Sequence, residues 1–260
     1  MNAIIGFVVK TLAIAGMEVR KLRHDPTELL TRAIQPALWL LVFGQVMGRA
    51  RLVETGGVAY LDFLVPGVLA QSVLFIAIFN GISIIWERDL GIVHKFLASP
   101  TPRAALVIGK VLGGGVRALS QVVVVLALAV LLDVRIRWDA TALFGVVLLV
   151  LLGAAVFSTF SLIIACLVKT RERFMGIGQV LTMPLFFASN AIYPTSMMPR
   201  WLQAISHVNP LTYEIDGLRG FLLPGAGMTP LGIGTDFAVL GTAFVVLVVV
   251  SARLYPNIVR

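Results

Sequence analysis

The chain has 260 residues, 58% of them hydrophobic and 13% charged, with a formal net charge of +8 and a single cysteine. A soluble domain is close to a quarter charged, and several uncharged runs here approach or exceed the roughly 18 to 20 residues that cross a bilayer. These values exclude an ordinary soluble fold and an intramolecular disulfide. They also remove nucleic acid as the reason for the positive charge, because membrane proteins gather Lys and Arg in cytoplasmic loops.

No segment is long enough for a separate soluble domain, so the expectation is an all-α, multi-pass membrane protein whose residues 1–260 form one transmembrane unit. The first stretch has no basic n-region and no persuasive cleavage site. It reads as an amphipathic interfacial helix over 1–25. Ile4, Ile5, Phe7, Val8, Leu12 and Ile14 are apolar, Lys10 interrupts them, and Glu18, Arg20, Lys21, Arg23 and His24 form a polar end. Asp25, Pro26 and Glu28 have the spacing of an N-cap, a first helical residue and a capping box.

Six spans follow, at about 31–48, 60–85, 103–132, 140–168, 174–193 and 234–254. Between the second and third lies "ERDLGIVHKFLASPTPR", from Glu87 to Arg103. Trp86, Leu90, Val93 and Leu97 recur at i, i+4, i+7 and i+11, one apolar stripe of a helix held against the membrane, with Arg88, Asp89 and Lys95 pointing elsewhere. Gly91 permits close approach by another backbone. The bland alternative is a solvated loop with ordinary charge. The segment from Tyr193 to Asp236 is too apolar for a solvated loop. Helical spacing of Leu211, Ile215, Leu218 and Leu222, with Thr212, Asp216 and Arg219 on the other side, predicts two half-length helices over 194–223 that dip into the outer leaflet and return.

With both ends cytoplasmic, fourteen of the 21 Lys and Arg residues, and all five lysines, fall inside. No phosphate loop, zinc motif, nucleophile elbow or cysteine pair occurs, and His24, His94 and His207 are too scattered for a metal site. No acidic residue falls at mid-span, which argues against an ion-driven carrier with a carboxylate relay. Gln71, Asn80, Arg117, Gln121 and Asn190 are candidates for a transport pathway. Helix–helix hydrogen bonds are the plainer reading for the uncharged ones, and snorkelling to the inner headgroups for Arg117.

The charged stretch resembles the coupling helix of ABC-2 type ATP-binding cassette permeases, in which Glu-[Arg/Lys]-x-x-Gly precedes Leu-x-x-[Ser/Ala]-Pro. Glu87, Arg88, Gly91, Leu97, Ser99 and Pro100 match. "NPLTYEIDGLR" resembles the family's element before the last span, through Asn209, Pro210, Tyr213, Asp216 and Arg219. "IQPALWLLVFGQVMG" and "FLVPGVLAQSV" resemble its first and second spans. Daunorubicin-resistance and nodulation-factor export permeases are the most similar in pattern. The resemblance implies a coupling helix within 86–102 and a homodimer. It also implies a separate ATPase in two copies that carries ATP and Mg, no catalysis and no cofactor on this chain, and export across the cytoplasmic membrane. The expected cargo is a lipophilic drug-like molecule or lipid, with a lipid-linked polysaccharide as the alternative. Membrane lipids are expected partners and nucleic acid is not.

Overall fold

The uncharged runs of the sequence become the long helices of the protein. The computed structural model describes residues 9–14, 16–17, 20, 27–93, 95, 102–224 and 229–255, and among these all regular structure is helical. In chain order the helices are α1 Thr27–Leu38, α2 Gln45–Ala50, α3 Tyr60–Asn80, α4 Ile82–Asp89, α5 Arg103–Leu131, α6 Ala140–Leu167, α7 Arg171–Phe187, α8 Arg200–Val208, α9 Pro210–Leu222 and α10 Ile233–Leu254. Four stretches are long and apolar enough to cross a membrane: Tyr60–Asp89, Arg103–Leu131, Ala140–Leu167 and Ile233–Leu254. They fall on the second, third, fourth and sixth expected spans.

The other two expected spans are also helical, with altered details. A π-helical stretch, Trp39–Gly44, joins α1 to α2 without a break. Pro36 removes a backbone donor from α1 just before it. The expected fifth span runs to 193, but α7 ends at Phe187. There the Ala188 N–H bonds the Pro184 carbonyl at 2.8 Å, and the Ser189 hydroxyl donates to the Phe186 carbonyl at 2.6 Å. The chain turns away before Asn190.

α6 is the hub of the packing. It lies against α3, α5, α9 and α10, and α3 is buried along most of its length. Gly81 separates α3 from α4 where α6 and α7 press in. A side chain there would strike Ser161 and Phe174, and the Gly81 N–H donates to the Ser161 hydroxyl at 3.1 Å. Asp139 caps α6 through the Ala142 N–H at 2.8 Å. Hydrogen bonds from the Thr141 hydroxyl, the Ala142 N–H and Arg137 hold its carboxyl down to about 2. The Arg137 N–H reaches the Leu222 carbonyl at 2.8 Å, tying this loop to the end of α9.

The two half-length helices of the 194–223 segment are present as α8 and α9. The Asn209 carbonyl side-chain oxygen accepts from the Leu211 N–H at 3.0 Å, Pro210 takes the first helical position, and the Asn209 amide donates to the Leu185 carbonyl at 2.7 Å. α9 runs antiparallel to the first half of α6, with Phe221 against Gly145, Leu149 against Gly217 and Glu214 against Gly153. The expected polar side of α9 is not on the surface. Thr212, Asp216 and Arg219 are as buried as Leu211 and Leu218, because α9 is enclosed by α3, α6 and α10.

Residues 9–14 are helical. They do more than lie on lipid, since Thr11 and Ile14 are buried and Ile14 contacts the backbone at Gly109. The rest of the 1–25 segment lies largely outside the described residues, as do Asp25 and Pro26.

Candidate functional site

The charged segment after α3 is built from two parts. The helix of Trp86 ends at Asp89, and the chain turns through Leu90 and Gly91 before Ile92 and Val93 resume helical geometry. Gly91 has φ +70°, a left-handed conformation that other residues adopt at a cost. A Cβ there would meet no atom of the described chain within 4 Å, so within this chain Gly91 serves the turn. The single apolar stripe is broken at the same point. Trp86 and Leu90 are exposed, whereas Val93 is fully buried with Ile84 and Leu106.

The charges divide in the same way. Glu87, in the most charged stretch of the sequence, is only 6% exposed, and its carboxylate meets the Lys110 ammonium of α5 at 2.5 Å. Arg88 donates to the Val168 carbonyl at 3.3 Å and the Lys169 carbonyl at 2.5 Å. Asp89 pairs with Arg171 at 2.9 Å, and the Arg171 guanidinium lies 3.5 Å above the Trp86 ring. α4 is thereby fastened to α5 on one side and to the α6–α7 junction on the other. Leu97, Ser99 and Pro100 lie outside the described residues.

Further along α5 the same face stays polar. Lys110 and Arg117, seven residues apart and so on one face of α5, are both buried. Arg117 does not snorkel. Its Nη1 donates to the Asn80 side-chain oxygen of α3 at 3.1 Å. Gly114 stands between them, with no room for a side chain beside Ser158 of α6 and the Asn80 amide. One turn beyond Arg117, Gln121 is fully buried and neither of its amide atoms has a hydrogen-bond partner. It lines a cavity of about 270 Å³ together with Gln35, Ser72, Phe75 and Phe79.

The structure therefore joins Asn80, Arg117 and Gln121 in one seam between α3 and α5. Gln71 is buried in α3 and does not line the cavity. Asn190 belongs to a separate cluster with Arg219, whose Nη2 donates to the Asn190 carbonyl at 2.5 Å. Tyr213 and Asp216 stay with α9. The Tyr213 hydroxyl donates to the His207 carbonyl at 2.7 Å, and Asp216 accepts from the Leu231 N–H at 3.1 Å.

Two acids were missed in the sequence. Glu214 is fully buried against Gly153, about halfway along α6, and neither carboxylate oxygen has a hydrogen-bond partner. Asp236, in the first turn of α10, is fully buried beside Gly217. The signal for Glu214 was available. It stands three residues after Leu211 and four before Leu218, on the apolar stripe of α9 and not opposite it.

An all-helical membrane bundle, a charged segment pinned to α5 and to the α6–α7 junction, and a buried Asn-Pro helix accompany a match of residues 10–223 to the family model described as ABC-2 type transporter. The chain belongs to the ABC-2 type transporter family. It is a transmembrane transport permease of that family, whose members normally work with a separate ATP-binding subunit. The daunorubicin resistance ABC transporter permease protein DrrB1 of Streptomyces coeruleorubidus is 26% identical over 250 residues, 96% of this chain and 87% of the relative. The putative transport permease ycf38 of Cyanophora paradoxa is 29% identical over 201 residues, 76% and 69% of the two chains. The inner membrane transport permease YadH of Escherichia coli K12 is 28% identical over 217 residues, 82% and 80%.

Proposed function

We propose that this ABC-2 permease is the membrane half of an ATP-driven exporter of lipophilic drug-like molecules or lipids. In this reading residues 1–260 form one transmembrane domain with six spans, both ends cytoplasmic, and α8 and α9 form a hairpin in the outer leaflet. Two copies pair, and two copies of a separate ATPase supply ATP and Mg from below.

The observation that carries the proposal is the fastening of α4. A short charged helix anchored to α5 by Glu87–Lys110 and to the α6–α7 junction by Arg88 and Asp89 passes any displacement to three helices at once. Movement delivered by a docked ATPase would reach the seam of Asn80, Arg117 and Gln121 through α3 and α5.

The lipophilic cargo is favoured by the aromatic residues. A glycan path needs stacked, accessible rings. The Tyr60, Tyr193 and Tyr213 hydroxyls are instead committed to the Ile192, Phe187 and His207 carbonyls, and Tyr255 is fully buried. An apolar groove of about 850 Å³ between α7 and α8, lined by Leu185, Phe187, Trp201, Ile205 and Val208, suits an alkyl or aromatic body. These features weigh against the lipid-linked polysaccharide alternative.

Co-expression with candidate ABC ATPases of the same organism, affinity purification and ATP hydrolysis measured with added lipids and hydrophobic amines test the proposal. Recovery of an ATPase complex with stimulated hydrolysis is the expected result. Purification of the permease alone, with the ATPase fully active and unaffected by it, overturns the proposal.

A further inference from the structure

A second polar site lies away from the α3–α5 seam. Five segments converge on a cavity of about 440 Å³: the turn before α3, Phe63 of α3, the chain from Asn190 to Ser196, Arg219 of α9 and Pro230 before α10. Arg219 forms its floor and is 4% exposed. Its guanidinium lies 3.7 Å over the Phe63 ring, and its Nη2 donates to the Asn190 and Ala191 carbonyls at 2.5 and 3.4 Å. These contacts fix the plane of the group, and the Asp216 carboxylate acts on its charge electrostatically without forming an ion pair. Nε has no hydrogen-bond partner, and among the described residues no carboxylate lies within ion-pair distance of Arg219. Asp216, one turn back on α9, turns its carboxylate to the Leu231 N–H.

A buried guanidinium without a direct ion pair keeps unsatisfied donor capacity. Its fork geometry suits a phosphate. The walls continue the match. The Asn190 side-chain oxygen is buried without a partner, and turning the amide over would present a donor instead. Thr195 and Ser196 add hydroxyls. The rim carries the opposite sign, since Glu54 is exposed at the mouth. Basic floor and acidic rim together complement a zwitterion.

We propose that this cavity binds a zwitterionic phospholipid headgroup, with the phosphate on Arg219 and Asn190 and the ammonium at Glu54. The headgroup approaches from the outer face, so the inference uses the proposed orientation. It requires neither the ATPase nor a particular cargo.

The test is equilibrium binding to the purified full chain, without ATPase, at low ionic strength. The probes are dihexanoyl phosphatidylethanolamine, dihexanoyl phosphatidylglycerol, dihexanoylglycerol and free phosphoethanolamine. The native chain should prefer the ethanolamine lipid over the glycerol lipid about fivefold and should not retain dihexanoylglycerol. Glu54→Lys, at an exposed position that folding tolerates, should invert that preference, and the inversion should shrink as salt rises. Arg219→Gln should weaken both phospholipids at least tenfold. Equal binding of the two phospholipids, no inversion in Glu54→Lys, or retention of dihexanoylglycerol would each overturn the proposal. Free phosphoethanolamine binding as tightly as the lipid would overturn the lipid source. Because no ATPase is present, these outcomes are independent of the ATP-driven export reading.

Discussion

Glu87 shows how a single residue changes meaning once its neighbours are known. In sequence it stands in the most charged stretch of the chain, where a carboxylate reads as solvent-facing. In the fold it is buried on Lys110, which is itself almost fully covered. A buried pair contributes little net stability compared with an apolar pair, but removing one partner leaves an uncompensated charge. Lys110→Met should therefore destabilise the purified chain by about 3 kcal/mol. Adding Glu87→Gln should restore most of the loss, as read by thermal unfolding in detergent. Equal melting temperatures for the single and double variants would show that the pair is not coupled. The pairing was not legible because the two residues are 23 positions apart and no local pattern links them.

At the scale of an element, α9 repays the closest reading. Its existence, its Asn-Pro start and its approximate ends follow from local chemistry: an Asn cap, a Pro at the first position and a helical period of leucines. Its environment does not. A helix with acids and an arginine reads as half-solvated, yet most of α9, its acids and arginine included, is buried, and it lies against α6 through the glycines at 145, 153 and 217. Gly153 is the tightest of these points for function, since the Glu214 carboxyl occupies the space a methyl group would need. Gly153→Ala should cost about 1 to 3 kcal/mol by overpacking. Glu214→Ala in the same chain should recover part of it by removing the obstructing carboxyl. Additive losses in the double variant would mean that α9 and α6 do not meet as described.

For the molecule as a whole, the positions of the long helices were legible because charge-free runs of span length allow few other outcomes. The π segment after Pro36, the break at Gly91 and the early end of α7 were not, since each depends on what the backbone packs against. The sequence left Arg117 between two readings for a related reason. Snorkelling and an interior hydrogen bond have the same sequence signature, and only the position of Asn80 separates them. Orientation can be checked directly. In a Cys166→Ser background, a cysteine at Thr55 should react in intact cells with an impermeant thiol reagent, and one at Glu172 should react only after the membrane is opened. Labelling of position 172 from outside would reverse the proposed orientation.

One packing feature bears on how the protein is made. Ile14, Ile84, Val93, Leu106, Leu162, Cys166 and Tyr255 share a single apolar cluster. Its members come from the early, middle and late parts of the chain, and a ribosome delivers Tyr255 after all the others. If the cluster needs all its members, it stays open until α10 arrives, and the closing of α10 against it completes that end of the bundle. Cys166, the one thiol in the chain and buried in that cluster, is a built-in clock for this step. Chains halted before Ile233 should expose the thiol to N-ethylmaleimide within seconds to minutes, whereas full-length chains should be protected. Protection that is already complete in the halted chains would show that the bundle closes before its last helix arrives.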